Sequence, residues 1–129
     1  MIVVDASAIV DLVSDAPGAT KLEARLLADG DLHAPHLIDV EVAAALRRLA
    51  ARGALSDDRA ADALLDAADL PILHYPHQAL IERAWELRAH LTIADGVYVA
   101  LAELLEAPLV TSDERLARAG GHGARIEVV

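Results

Sequence analysis

Four acidic residues stand where carboxylates can do chemistry. Asp5 directly follows the β-branched run Ile2-Val3-Val4, and Asp113 follows Leu109-Val110-Thr111-Ser112, so each sits at the carboxyl end of a short apolar segment that reads as a strand. Glu41 falls at the edge of the apolar stripe formed by Ile38, Val42, Ala45, Leu46 and Leu49, and Asp95 lies in a helix that is apolar nearly all round. An isolated carboxylate among apolar residues is costly unless it is paired or coordinates a cation. The chain offers one lysine, Lys21, and arginines that fall mostly on solvent faces. A hard divalent cation such as Mg²⁺ or Mn²⁺ satisfies several carboxylates at once and accepts oxygen ligands from distant parts of a chain. Each acid also has a plainer role open to it. Asp5 and Asp113 could cap helices, Asp95 could complete a capping box with Thr92, and Glu41 could be a solvated neighbour of Arg48.

The elements that must position these acids can be read from periodicity and turn chemistry. Strands are expected over Ile2–Val4, Leu32–Ala34, Leu70–His74, Leu109–Thr111 and Arg125–Val129. Helices are expected from Ala8 to Val13 with Ser7 as N-cap, from Gly18 to Ala28, from Pro35 to Arg52 with Gly53 closing it, and from Ser56 to Ala68. Further helices fit Gln78–Ala89, Ile93–Leu105 and Glu114–Ala119. Alternating strands and helices imply an α/β fold with a mainly parallel sheet covered on both faces, whose sites form beyond the carboxyl ends of the strands. The segments Leu32–His36 and Leu73–His77 echo each other, each a strand end followed by a proline turn.

Composition narrows the class. With 129 residues, no low-complexity tract and no linker, the chain reads as one domain over 1–129. It is 55% hydrophobic but 2% aromatic and has no Phe, so Ala, Leu, Val and Ile must build the core. No cysteine is present, which excludes disulfides and thiolate metal sites and fits a reducing cytoplasm. The longest stretch free of formal charge, Leu70–Ile81, contains Pro71 and Pro76 and is too short to cross a membrane; Met1–Asp5 lacks the apolar run of a signal peptide. The expected location is therefore the cytoplasm. The formal net charge of −10 opposes binding to phosphates and suits a basic protein partner.

Four segments in order, Val3-Val4-Asp5-Ala6-Ser7, Pro35 to Leu46 around Glu41, Asp95 to Ala102, and Leu109 to Leu116 around Asp113, resemble the PIN-domain nucleases, most closely the VapC-type toxins of toxin-antitoxin pairs. The resemblance covers the whole chain. It implies a three-layer α/β/α sandwich and a Mg²⁺- or Mn²⁺-dependent endoribonuclease. The implied ligands are Asp5, Glu41, Asp95 and Asp113, with Ser7 and Thr111 as supporting hydroxyls. Hydrolysis by water would leave a 5′-phosphate and a 3′-hydroxyl. A cognate antitoxin would neutralise the toxin, and apolar surface on the early helices suggests a homodimer.

Arg47, Arg48 and Arg52 are the expected substrate contacts, since Arg48 and Arg52 project about 20° either side of Glu41 on one helix. A structured RNA with an exposed loop is the expected substrate class. The pairs His33/His36 and His74/His77 read as turn chemistry, and Trp85 and Tyr98 as core or interface. Asp11, Asp15, Asp57, Asp58, Asp62 and Asp66 read as surface, and Arg59 and Arg83 as members of helix ion pairs. Ser7 stands where a haloacid-dehalogenase-like phosphatase needs a second aspartate, and no lysine stands near the last strands as a receiver domain requires. The remaining rival is a PIN-like protein-binding module of weak catalytic power.

Overall fold

A computed structural model describes all residues, 1–129. Strand β1 (Ile2–Val4) leads into α1 (Ala6–Val13) and α2 (Ala19–Asp29), then β2 (Leu32–Pro35) into α3 (Leu37–Ala51) and α4 (Asp57–Ala68). After β3 (Ile72–Tyr75) come a 3₁₀ turn (His77–Leu80), α5 (Ile81–Glu86), α6 (Ile93–Leu105), β4 (Leu109–Thr111), α7 (Glu114–Arg118) and β5 (Ile126–Val128).

The five strands form one sheet in the order β3-β2-β1-β4-β5, and every neighbouring pair is parallel. From β1 the chain steps to β2 and β3 in one direction, then returns past β1 to β4 and β5. Right-handed crossovers therefore send α1 to α4 to one face and α5 and α6 to the other. The packing agrees: α1 touches α2, α3 and α4, whereas α6 packs on α5 and on β1, β2 and β4. Ile2, Val3 and Val4 have no exposed surface, as a central strand covered on both faces requires. The result is the expected α/β architecture of three layers. Its switch point lies between β1 and β4, where the chain departs to opposite faces and leaves a crevice beyond the strand ends.

Several local expectations change. The first helix begins at Ala6 and its cap is Asp5, whose carboxylate accepts from the Ala8 N–H; Ser7 sits inside the helix. Pro35 closes β2 and does not open α3. The single helix expected over Gln78–Ala89 is a 3₁₀ turn, the six-residue α5 and a further turn. The echo between Leu32–His36 and Leu73–His77 is out of register by one, because Leu32 pairs with Ile72 and His33 with Leu73. Equivalent residues thus face opposite sides: Leu32 is buried and Leu73 exposed.

Gly96, in the first turns of α6, lets α5 approach closely. A Cβ there would lie 3.0 Å from both Cα and Cβ of Ala84. Gly96→Val is expected to lower unfolding free energy by about 1–3 kcal/mol through overpacking, read as a lower urea midpoint at unchanged slope.

Candidate active site

Asp5, Glu41, Asp95 and Asp113 come from four separate segments and line one open cleft of about 360 Å³ above the ends of β1 and β4. Ala6, Ser7, Val10, Asp11, Ala45, Arg48, Tyr98 and Arg115 complete its wall.

Asp5 is the most enclosed of the four, only 7% exposed. Its Oδ1 accepts from Ser7 Oγ at 2.7 Å and from the Ala8 N–H at 3.0 Å, and its Oδ2 accepts from Thr111 Oγ1 at 2.5 Å. Burial still dominates: it pushes the carboxyl above the ordinary carboxylate range, against the pull of those three donors, and the nearby Asp95 charge adds to the rise. The two hydroxyls are themselves fixed by backbone. Ser7 Oγ accepts from the Ser112 N–H at 3.2 Å, and Thr111 Oγ1 accepts from the Asp113 N–H at 3.0 Å. The loop after β4 is thereby clamped to the start of α1.

Glu41, Ala45 and Arg48 reach the cleft together because spacings of four and three place them on one stripe of α3. Asp95 stands in the first turn of α6, where Thr92 Oγ1 accepts from its N–H at 3.2 Å. Thr92 is the cap, so the Asp95 carboxylate is left to face the cleft. Asp113 caps α7 by accepting from the Arg115 N–H at 2.9 Å. The Arg115 guanidinium also grips it in a fork, Nε to Oδ1 at 3.1 Å and Nη2 to Oδ2 at 2.8 Å, which holds its carboxyl below the usual range. The capping roles of Asp5 and Asp113 and their places on the cleft wall are therefore compatible.

Three cleft residues escaped the sequence reading. Asp11 is half-buried on the wall and not at the surface; its spacing of four from Ser7 on α1 carried the signal. Arg115 was missed altogether. Tyr98 is core, as expected, but its hydroxyl is buried at the cleft and has no hydrogen-bond partner. Burial and the neighbouring Glu41 carboxylate push that phenol far up, so it stays neutral and available as a donor. Of the three arginines expected to meet substrate, Arg48 lines the cleft, while Arg47 and Arg52 lie exposed outside it. Trp85 is 59% exposed, with the Arg88 guanidinium 4.5 Å from its ring centre, and so is not core. Arg59 reaches Asp15 and the Val13 carbonyl across helices, and Arg83 joins Glu86 and Glu103, so neither pairs only within its own helix.

A profile of the PIN domain matches residues 2–122. The chain belongs to the PIN-domain family. Ribonuclease VapC12 of Mycobacterium tuberculosis is 43% identical over 129 residues, spanning all of this chain and 99% of the relative. Ribonuclease VapC9 of the same organism is 45% identical over 130 residues, spanning 100% and 98%. Among solved structures, PAE2754 from Pyrobaculum aerophilum superposes with a TM-score of 0.71 at 26% identity, covering 98% of this chain and 83% of that one. VapBC2 from Rickettsia felis, bound to a DNA fragment from their promoter, gives 0.69 at 16% identity, covering 99% and 98%, and shares the fold.

The donor set of this PIN domain fits a hard divalent cation. Five acids face two arginines on the cleft wall, every other polar group there is a hydroxyl, and no imidazole or sulfur competes. No three acidic or histidine side chains are gathered closely enough to form a cage on their own. A hard cation held there would draw on one or two carboxylates and complete its shell with water.

Asp5 gives a pH-dependent test. A carboxyl whose folded pKa is raised makes its ionisation unfavourable to folding, so the penalty is absent below the unfolded pKa and complete above the folded one. Asp5→Asn is accordingly expected to raise the thermal midpoint of the metal-free protein by a few degrees at neutral pH, with the gain shrinking as pH falls into the carboxylate range. Differential scanning calorimetry across pH checks it; an unchanged or lower midpoint at neutral pH would count against a buried, uncompensated charge.

Proposed function

We propose that this PIN-domain chain is a Mg²⁺- or Mn²⁺-dependent endoribonuclease that hydrolyses RNA phosphodiester bonds with water, acts in the cytoplasm as a VapC-type toxin, and is neutralised by a cognate antitoxin. The observation that carries the reading is the convergence of Asp5, Glu41, Asp95 and Asp113 on one cleft that contains no imidazole base. The full-length similarity to proteins named as VapC ribonucleases supports it.

The divalent ion, when bound, would acidify water and offset the charge that develops at phosphorus. Asp5 and Asp95 are the proposed principal ligands, with Glu41 and Asp113 at the cleft edges. Ser7 and Thr111 orient Asp5 by donating to its two oxygens; with the Ala8 N–H also on Oδ1, one lone-pair site is left, on Oδ2, for a cation. Neutral Tyr98 offers its unpartnered hydroxyl beside Glu41 and can hold that carboxylate or a water in place. Arg48 supplies a positive contact for the RNA backbone; Arg47 and Arg52, farther out, would meet more distant phosphates.

The chain's acidity gains a meaning in this reading. A cleft with five acids repels phosphate, so productive RNA binding depends on prior occupation by a cation. No helix is long and apolar enough to cross a membrane. Apolar side chains left exposed on α2 and α4, Leu27, Leu64 and Leu65, offer surface for the antitoxin or for a second protomer of a homodimer.

Cellular RNA incubated with the purified chain and Mg²⁺ is expected to yield fragments with 5′-phosphate and 3′-hydroxyl ends, and EDTA abolishes cleavage. Asp5→Ala and Asp95→Ala each reduce cleavage at least about 100-fold. Cleavage that persists in both variants, or that ignores EDTA, would leave a protein-binding module as the better account. Thr111→Val, which removes one hydroxyl from Asp5, is expected to weaken Mn²⁺ binding about 10- to 100-fold by titration calorimetry.

A further inference from the structure

Arg115 was not among the substrate arginines read from sequence, yet it lines the same cleft as Arg48. Its fork occupies both oxygens of Asp113, at 3.1 and 2.8 Å, while the same carboxylate also accepts the Arg115 N–H. A cation drawing on Asp113 must therefore compete with the guanidinium for the same lone pairs. The competition is not steep. The Arg115 side chain is 81% exposed, and an ion pair so open to water contributes little net stability.

We propose that Arg115 is a metal-gated substrate arginine: it neutralises Asp113 in the metal-free protein, is released when a divalent cation takes that carboxylate, and then binds the phosphate backbone of the RNA at the cleft mouth. The inference rests on the metal-nuclease reading above. Its chemistry is that of the guanidinium, whose planar donors fit a phosphate as they fit a carboxylate. Release turns one cation from an internal counter-ion into an external one without a change in fold. Arg48, in the same cleft, has no acidic partner among the hydrogen bonds and ion pairs of the structure, so the two arginines present different states before metal arrives.

Titration calorimetry with Mn²⁺ on the metal-free full chain tests the competition. Arg115→Ala is expected to bind Mn²⁺ about three- to tenfold more tightly than wild type. Arg48→Ala removes the same charge from another part of the cleft without touching Asp113 and is expected to shift affinity less than about twofold. In ¹⁵N-edited spectra the Arg115 Nε–H signal, assigned by its loss in Arg115→Lys, should move and exchange faster with water when Mg²⁺ is added. With a single-stranded 12-nucleotide RNA in saturating Mg²⁺, Arg115→Ala should lose at least about tenfold in kcat/KM. Tighter metal binding together with poorer RNA cleavage is the signature of the gate. If Arg115→Ala leaves Mn²⁺ affinity unchanged, or Mg²⁺ leaves the Nε–H signal unmoved, the gate is overturned while the nuclease reading stands. If wild type binds no Mn²⁺ under conditions where Asp5→Asn is folded and equally inert, both fall.

Discussion

The carboxylate of Asp5 is bound by the two elements that matter most for the cleft: by the first turn of α1 through Ser7 and Ala8, and by the end of β4 through Thr111. It is an anion that serves as a structural fastener. A neutral residue of the same shape would hold the strand ends together with less strain, since burial raises the energy of the ionised form. In the proposed function a cation would complete what the three donors begin. Under that proposal one residue would serve two requirements that are usually separable, closure of the sheet's central crevice and the binding of metal.

Around that fastener the rest follows from topology. An all-parallel sheet in the order β3-β2-β1-β4-β5 has one place where successive connections diverge, and it lies above β1 and β4. Glu41 enters because α3 leans over α1, and Asp95 because α6 starts on the opposite side of the same opening. The close approach of Ala84 to Gly96 seats α5 against the first turns of α6. Packing of small residues, in a chain with almost no aromatic side chains, brings the helices near enough for side chains as short as aspartate to share one space.

Much of this was legible in the sequence because it rested on local signals: β-branched runs ending in aspartate, Ser56 and Thr92 as caps, and glycine after α3. Where local signals competed, the reading slipped. Ser7 looked like a cap, but Asp5 two residues earlier takes that role through the Ala8 N–H, which starts the helix sooner, and Ser7 is drawn to Asp5 in turn. Leu80, Ala84, Leu87 and Leu91 keep a helical spacing through two turns that are not α-helical, so periodicity could not reveal the breaks. The remaining omissions depend on distant partners. Nothing near Tyr98 in the chain shows that its hydroxyl lacks a partner, and nothing in α7 alone shows that Arg115 shares a space with Glu41 and Asp95.

The contact between Thr111 and Asp5 joins residues 106 positions apart. During synthesis, therefore, the chain must be made at least through Thr111 before β4 can dock beside β1 and the crevice can exist at all. Earlier lengths of polypeptide can form the helices of one face, but they hold Asp5 and Glu41 without Asp113 or Thr111, and no pairing of local segments substitutes for that closure. A site closed by a strand so far along the chain from β1 has no early, partial form: it comes into being with that docking or not at all.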